Sequence, residues 1–419
     1  MTKHIVILGA GAGGTLVANR LRRTHSVDDV RITVVDQDDK HVYQPGLLFV
    51  PFDPAHVGNL TRSRRDQLHR GIELLEVAVD RVELADDRVV LADQRSLTYD
   101  VLVLATGAAL KPEETDGLVG PGWMERVFTF YTLAGATALA EALAHFDEGR
   151  LVVNVVDMPI KCPVAPLEFC FLADAFFRNR GSRERVQITY VTPLDGAFTK
   201  PVASKKLGTL LAEKGVDVVT EFNTGTVDGA AGQLISFDGR TVDFDLAVVV
   251  PLHNGADYVA RSPGLGDELN FIPTNEHTLQ AHARPNVFAI GDATGLPISK
   301  AGSVAHYEGD VLCDNVGRFL AGRELRAGYD GHVNCFIETG FGKALLIDFN
   351  YDTEPLTGHF PTRVGLPLLE ESRLNHLGKL LFEWMYWHVV LPGRDVPGLS
   401  STMPHSGKKF AQAHAEVDL

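Results

Sequence analysis

Four cysteines, at positions 162, 170, 313 and 335, are the residues of this 419-residue chain whose type is best suited to redox chemistry. They form no CxxC pair, and no cysteine or histidine cluster has metal-ligand spacing, so neither a disulfide framework nor a metal site is expected. Cys162 stands out by its surroundings. It lies in "PIKCPVAPLE", beside Lys161 and just before a helix that Pro166 is suited to open. A cationic neighbour and a helix N-terminus both favour the thiolate, the form that attacks and leaves in disulfide exchange. Glu168, in the first turn of that helix, has two readings: a complement to the helix dipole, or a base that takes a proton from an incoming substrate. Cys170, among Phe169, Phe171 and Leu172, and Cys313, in "YEGDVLCDNVGRFL", read as small core residues.

The elements that must position these residues begin at the N-terminus. "HIVILGAGAGGTLVANRLRR" is an apolar strand, then Gly9, Gly11 and Gly14 at GxGxxG spacing, then a helix; "RITVVD" is a second strand ending in Asp36. In that order the glycines permit a tight turn and the close approach of a pyrophosphate to the helix N-terminus, and the acid accepts from a ribose hydroxyl. "TYDVLVLATGA" runs into a Thr106-Gly107 turn, and "PNVFAIGDAT" ends in Gly291-Asp292. Asp292 is read either as a turn-forming residue or as the acceptor of a hydrogen bond from a polyol hydroxyl of the cofactor.

A second strand-helix-strand plan follows, with strands at 151–157, 186–192 and 216–222, helices at 166–181 and 203–216, and "DFDLAVVVPLHNGA" echoing "TYDVLVLATGA". The expected fold class is therefore α/β, with two Rossmann-like domains, the second inserted in the first. The boundaries are residues 1–112 and 268–328 for the first domain and 113–267 for the second, leaving 329–419 as a C-terminal region. Residues 150–180 contain no glycine. Side chains and fixed proline dihedrals would obstruct a pyrophosphate there, so the second domain is not expected to bind NAD(P)H.

With 39 Lys+Arg against 54 Asp+Glu, the net charge of −15 repels a phosphate backbone, which excludes nucleic acid as a partner class. The lysine and apolar run at the start are read as the first strand rather than an export sequence. No stretch reaches the roughly 18 apolar residues of a membrane span. "LNHLGKLLFEWMYWHVVLPGR" (374–394) has apolar residues at helical spacing and holds Trp384, Tyr386 and Trp387. Such a helix packs on the protein's own core or on a second subunit, or lies in a membrane interface.

The motifs "HVYQPGLLF", "PIKCPVAPLE", "PNVFAIGDATGLPISKAG" and "YDGHVNCFIETGFGKALLIDFNY" resemble the sulfide:quinone oxidoreductase family of two-domain flavoproteins. The resemblance implies FAD, with Tyr43, Gln44 and Pro45 against the isoalloxazine and Lys300 near its pyrimidine edge. It further implies that Cys162 and Cys335 are the redox pair, carrying sulfur from hydrosulfide as a persulfide while electrons pass to FAD and then to a quinone. Sulfur leaves as polysulfide or on sulfite, glutathione or another thiol. Lys343 and the aromatics Trp384, Tyr386 and Trp387 are implied to face the quinone and the membrane, which makes the protein cytoplasmic and peripheral on the inner face of the membrane. Many family members carry a third cysteine where this chain reads "GPGWMERV". Oligomeric state is left open. Two other readings share the same cysteines: the flavoprotein subunit of a flavocytochrome c sulfide dehydrogenase, which would be expected to carry an export sequence and no apolar tail, and a non-catalytic sulfide or redox sensor.

Overall fold

The structure, a computed structural model, describes residues 2–396 and 400–410; the end of the C-terminal region, residues 411–419, lies outside the described residues. Strand β1 (Lys3–Leu8) passes through the glycine turn into α1 (Ala12–Thr24) and β2 (Val30–Asp36), followed by β3 (Ile72–Glu76) and β4 (Val101–Leu104). A second set then forms: β5 (Val127–Phe128), β6 (Gly149–Val155), α2 (Ala165–Arg180), β7 (Val186–Val191), β8 (Val216–Val219) and β9 (Leu246–Val250). The chain then returns to the first sheet through β10 (Val287–Ala289), which pairs with β4. The two sheets have the orders β10-β4-β1-β2-β3 and β5-β9-β6-β7-β8, and every pairing in them is parallel.

These strands are continuous apolar runs because both of their faces are covered. Ile5, Ile7, Val101 and Val103 join a core cluster that also holds Leu151 and Val153 of the second sheet. The alternate residues Val6, Leu8, Leu102 and Leu104 belong to a separate cluster on the opposite face. A period of two in a strand thus sorts its side chains between two cores.

After α3 (Gly302–Leu320) comes an antiparallel hairpin, β11 (Val333–Gly340) and β12 (Lys343–Phe349). Helix α2 packs against β11. Their approach is close enough that a Cβ on Gly340 (φ +83°) would lie 2.7 Å from the Cβ of Ala175. That contact brings the Cys162 loop, which precedes α2, to the strand carrying Cys335. Helix α4 (Arg373–Met385) lies against β12 and continues as a π-turn, Tyr386–Val390, rather than as the single helix to 394 that apolar spacing predicts. Among the described residues no helix is long and apolar enough to cross a membrane.

Candidate active site

A cavity of about 780 Å³ lies at the carboxyl ends of β1, β2, β4 and β10. Its lining brings together Gly9, Gly11 and Asp36, then Thr106, Gly107, Gly291 and Asp292, then Tyr43, Gln44 and Pro45, and finally Lys300, Cys162, Glu168 and Cys335. Gly14 closes the turn from behind: a Cβ there would fall 1.9 Å from the Gly9 carbonyl oxygen. Gly11 has nothing within 4 Å of where its Cβ would stand, so its backbone is open on that side. Asp36 braces the turn by accepting from the Ala10 N–H at 2.7 Å and pairs with Arg64, which also lines the cavity. The volume and the bare backbone fit an extended dinucleotide such as FAD.

Cys162 adopts φ +50°, a left-handed conformation that costs a non-glycine residue about 1–3 kcal/mol. Three hydrogen bonds hold it there. Its N–H donates to the Lys300 carbonyl at 2.6 Å, and its own carbonyl accepts from the Tyr131 hydroxyl at 3.2 Å and the Ala165 N–H at 2.9 Å. The Lys300 ammonium in turn donates to the Asp292 and Thr294 carbonyls at 3.0 and 2.7 Å, so one residue fastens the cysteine loop to the Gly291 turn. All four cysteines are free thiols in this structure.

The expectation of an activated thiolate at Cys162 is corrected by its environment. Burial pushes this thiol up to about 12; Glu168 adds to the rise and Lys379 opposes it. Burial likewise raises Cys335, with the charges of Cys162 and Glu168 adding to it and Lys379 opposing. Lys161, which sequence adjacency made the counter-charge, is itself pushed down by burial. The cation that acts on both sulfurs is Lys379, more than 200 residues along the chain. A legible clue was its position on α4, on the opposite side of the helical wheel from Leu374, Leu377 and Leu381.

Lys379 is ion-paired with Glu168, whose side chain is 2% exposed, and donates to the Phe336 carbonyl at 3.3 Å. Burial pushes the Glu168 carboxyl up against the pull of that ammonium. Glu168 also accepts from the Glu338 N–H at 2.7 Å, and both carboxylate oxygens of Glu338 lie 3.0 Å from His376 Nδ1. Glu168 is therefore more than a dipole complement in a first turn: it is a buried carboxyl in the wall of the cavity.

The C-terminal residues divide differently from expectation. Trp384 is 57% exposed, together with Leu374, Leu377, Leu380 and Leu381. Tyr386 and Trp387 are buried instead, because the π-turn breaks the 3.6-residue register and turns them inward. Tyr386 lines the cavity and its hydroxyl lies 2.6 Å from His41 Nε2, while Trp387 sits under the Arg62 guanidinium at 4.2 Å. Lys343 is outside the cavity lining. It stands exposed at the hairpin tip near Phe341, whereas Lys379 and Phe382 line the cavity.

Residues 3–155 match the family described as pyridine nucleotide-disulphide oxidoreductase. The chain is 25% identical over 401 residues to the mitochondrial sulfide:quinone oxidoreductase of Mus musculus, spanning 93% of this chain and 86% of that one. It is 26% identical to the mitochondrial sulfide:quinone oxidoreductase of Dictyostelium discoideum, again over 93% and 86% of the two chains. The solved structure of the sulfide:quinone oxidoreductase from Aquifex aeolicus superimposes with a TM-score of 0.80 at 18% identity, covering 94% of this chain and 92% of that one. Over nearly its whole length, and not only across residues 3–155, the chain is similar in sequence to mitochondrial sulfide:quinone oxidoreductases and shares the fold of the Aquifex aeolicus one.

Proposed function

We propose that the protein is an FAD-dependent enzyme that oxidises hydrosulfide and reduces a quinone, with Cys162 and Cys335 as its redox pair. The carrying observation is that both cysteines line the cavity that also contains the glycine turn, in a chain whose second nucleotide-type turn has no glycine. Residues 1–112 and 268–328 act as the FAD-binding domain, 113–267 as the second Rossmann-like domain and 329–419 as the quinone- and membrane-facing region. Gly9, Gly11 and Gly14 would hold the pyrophosphate, Asp36 a ribose hydroxyl and Asp292 a polyol hydroxyl, with Thr106, Gly107 and Gly291 along the same cavity. Tyr43, Gln44, Pro45 and Lys300 would flank the ring. When bound, FAD supplies a two-electron acceptor between sulfur and quinone.

In the oxidised enzyme, where the two thiols have given up two protons and two electrons to that acceptor and joined as a Cys162–Cys335 disulfide, hydrosulfide attacks one sulfur; the S–S bond breaks, leaving a persulfide on one cysteine and a thiolate on the other. In a buried site that thiolate needs a counter-charge, which Lys379 supplies. Glu168 stands in the same wall to take the proton of an incoming sulfide. Sulfur leaves on a small acceptor such as sulfite, glutathione or another thiol. The test is anaerobic mixing of the flavoprotein with sulfide and a soluble quinone, with NADH as the alternative donor. Sulfide-driven quinone reduction is the expected result, and reduction by NADH in place of sulfide would overturn the reading.

The exposed stripe of Leu374, Leu377, Leu380, Leu381 and Trp384 favours a lipid-soluble acceptor over a soluble haem partner. On this reading the protein sits peripherally on the inner face of the membrane, with α4 in the interface. Replacing Leu377, Leu381 and Trp384 together by serine is expected to weaken binding to phospholipid vesicles at least about tenfold, since a tenfold change needs about 1.4 kcal/mol in all and full burial of even one such side chain contributes about 1.5–3 kcal/mol. Co-sedimentation measures it, and activity with a water-soluble quinone is expected to persist.

A further inference from the structure

We infer that His376 and Glu338 form the port through which the buried sulfur and quinone chemistry exchanges protons with solvent. The inference rests on the function proposed above, where HS⁻ + RS⁻ + Q + H⁺ gives RSS⁻ + QH₂ with a thiolate acceptor. Two electrons move from sulfur to quinone, and the quinol takes up two protons. One of these comes from the hydrosulfide and the other must enter from water.

The cavity wall that carries both sulfurs holds Glu168, 2% exposed in its side chain, and Lys379, 12% exposed; Glu338, outside that lining, is 2% exposed. His376 is the exception, with 26% of its side chain exposed. Its Nδ1 lies 3.0 Å from both oxygens of Glu338, and its Nε2 makes no hydrogen bond among the described residues. The two carboxyls are coupled by position and charge: the Glu338 N–H donates to Glu168 at 2.7 Å, and both carboxylates act on the Lys379 ammonium.

Charge counting points the same way. Two carboxyl groups, Glu168 and Glu338, share one ammonium, Lys379, and the imidazole is the other basic group placed against them. The charged and titratable groups around it are Glu338 on β11, Lys379 on its own helix, Glu168 on α2 and the two thiols behind them. On the outside stand Arg373, one turn earlier on α4, and Lys343, next to Gly342, where a Cβ would lie 4.0 Å from the imidazole Cδ2. His376 touches neither sulfur nor quinone; it acts through Glu338.

The test compares the wild-type holoenzyme with His376→Gln, which keeps a donor toward Glu338 but carries no proton. Turnover with sulfide and a soluble quinone is expected to fall about tenfold or more, with flavin content and spectrum unchanged. Added imidazole restores part of the loss. In stopped flow with a pH-indicator dye, proton exchange keeps pace with the flavin signal in the wild type and lags behind it in the variant. His376→Gln at the wild-type rate with no lag, beside an active wild type, overturns the port alone. So does a loss accompanied by lowered flavin content that imidazole does not restore, which marks a structural role. A wild type inactive with sulfide and quinone overturns instead the function on which the port rests.

Discussion

Cys162→Ser and Cys335→Ser each lose rapid sulfide-driven bleaching of the flavin, by at least about a thousandfold, while keeping their flavin. The reason is chemical rather than structural. Serine reproduces the size of cysteine but can form neither the disulfide that hydrosulfide opens nor the persulfide that carries sulfur away. Neither residue lies in the glycine turn, and the three hydrogen bonds that hold residue 162 are made by its backbone, so they survive the exchange. Flavin content, measured by absorbance, is therefore expected to match the wild type. Stopped-flow spectra after anaerobic mixing with sulfide measure the loss. Bleaching at the native rate in either variant would contradict the assigned pair. Cys170→Ser is the matched control: Cys170 is buried among the aromatics of α2, outside the cavity lining, and its replacement leaves the bleaching in place.

How far the sequence led depends on whether the deciding interactions were local. The glycine turn was readable because its requirement is local: Gly14 must pass the Gly9 carbonyl, and no side chain can. The missing glycines of the second turn were readable for the same reason. The two parallel sheets followed from runs such as "IVIL" (5–8) and "VLVL" (101–104), where every residue is apolar because both faces are covered. Cys162 was half legible. Its loop and the helix after it lie where the sequence puts them, but Lys161 and the helix end suggested a thiolate, and tertiary burial overrides both. The partner that matters, Lys379, comes from a helix whose docking face no local rule could assign. Trp387 and Trp384 show the limit of periodicity: a single π-turn sends two tryptophans three residues apart to opposite fates, one packed beneath Arg62 and one in the exposed stripe.

Lys379→Met has the second large effect, and it separates two roles of one ammonium group. The first is structural. Methionine fills much the same space but leaves the Glu168 carboxylate buried without its counter-ion, a change that costs about 3–5 kcal/mol when the charge is retained. Glu168 escapes part of this by binding a proton. Removing the cation raises its folded-state proton affinity further above that of the unfolded chain, so the compensation is complete at acid pH and is lost as pH rises. The stability gap between variant and wild type, followed by thermal melting, is therefore expected to be smallest at acid pH and to widen toward alkaline pH. The second role is chemical. Both thiols are already pushed up by burial, and Lys379 is the cation that opposes the push on each. Without it the leaving thiolate has no counter-charge, and sulfide-driven bleaching is expected to slow by about a hundredfold or more, the cost of deleting one preorganised electrostatic partner. The two effects part company at acid pH. Protonating Glu168 there repairs the fold but supplies no positive charge to the sulfur, so a variant that melts like the wild type still bleaches slowly. Bleaching that recovers together with the melting temperature would mean that Lys379 only holds the structure, and the thiolate would then need another source of stabilisation.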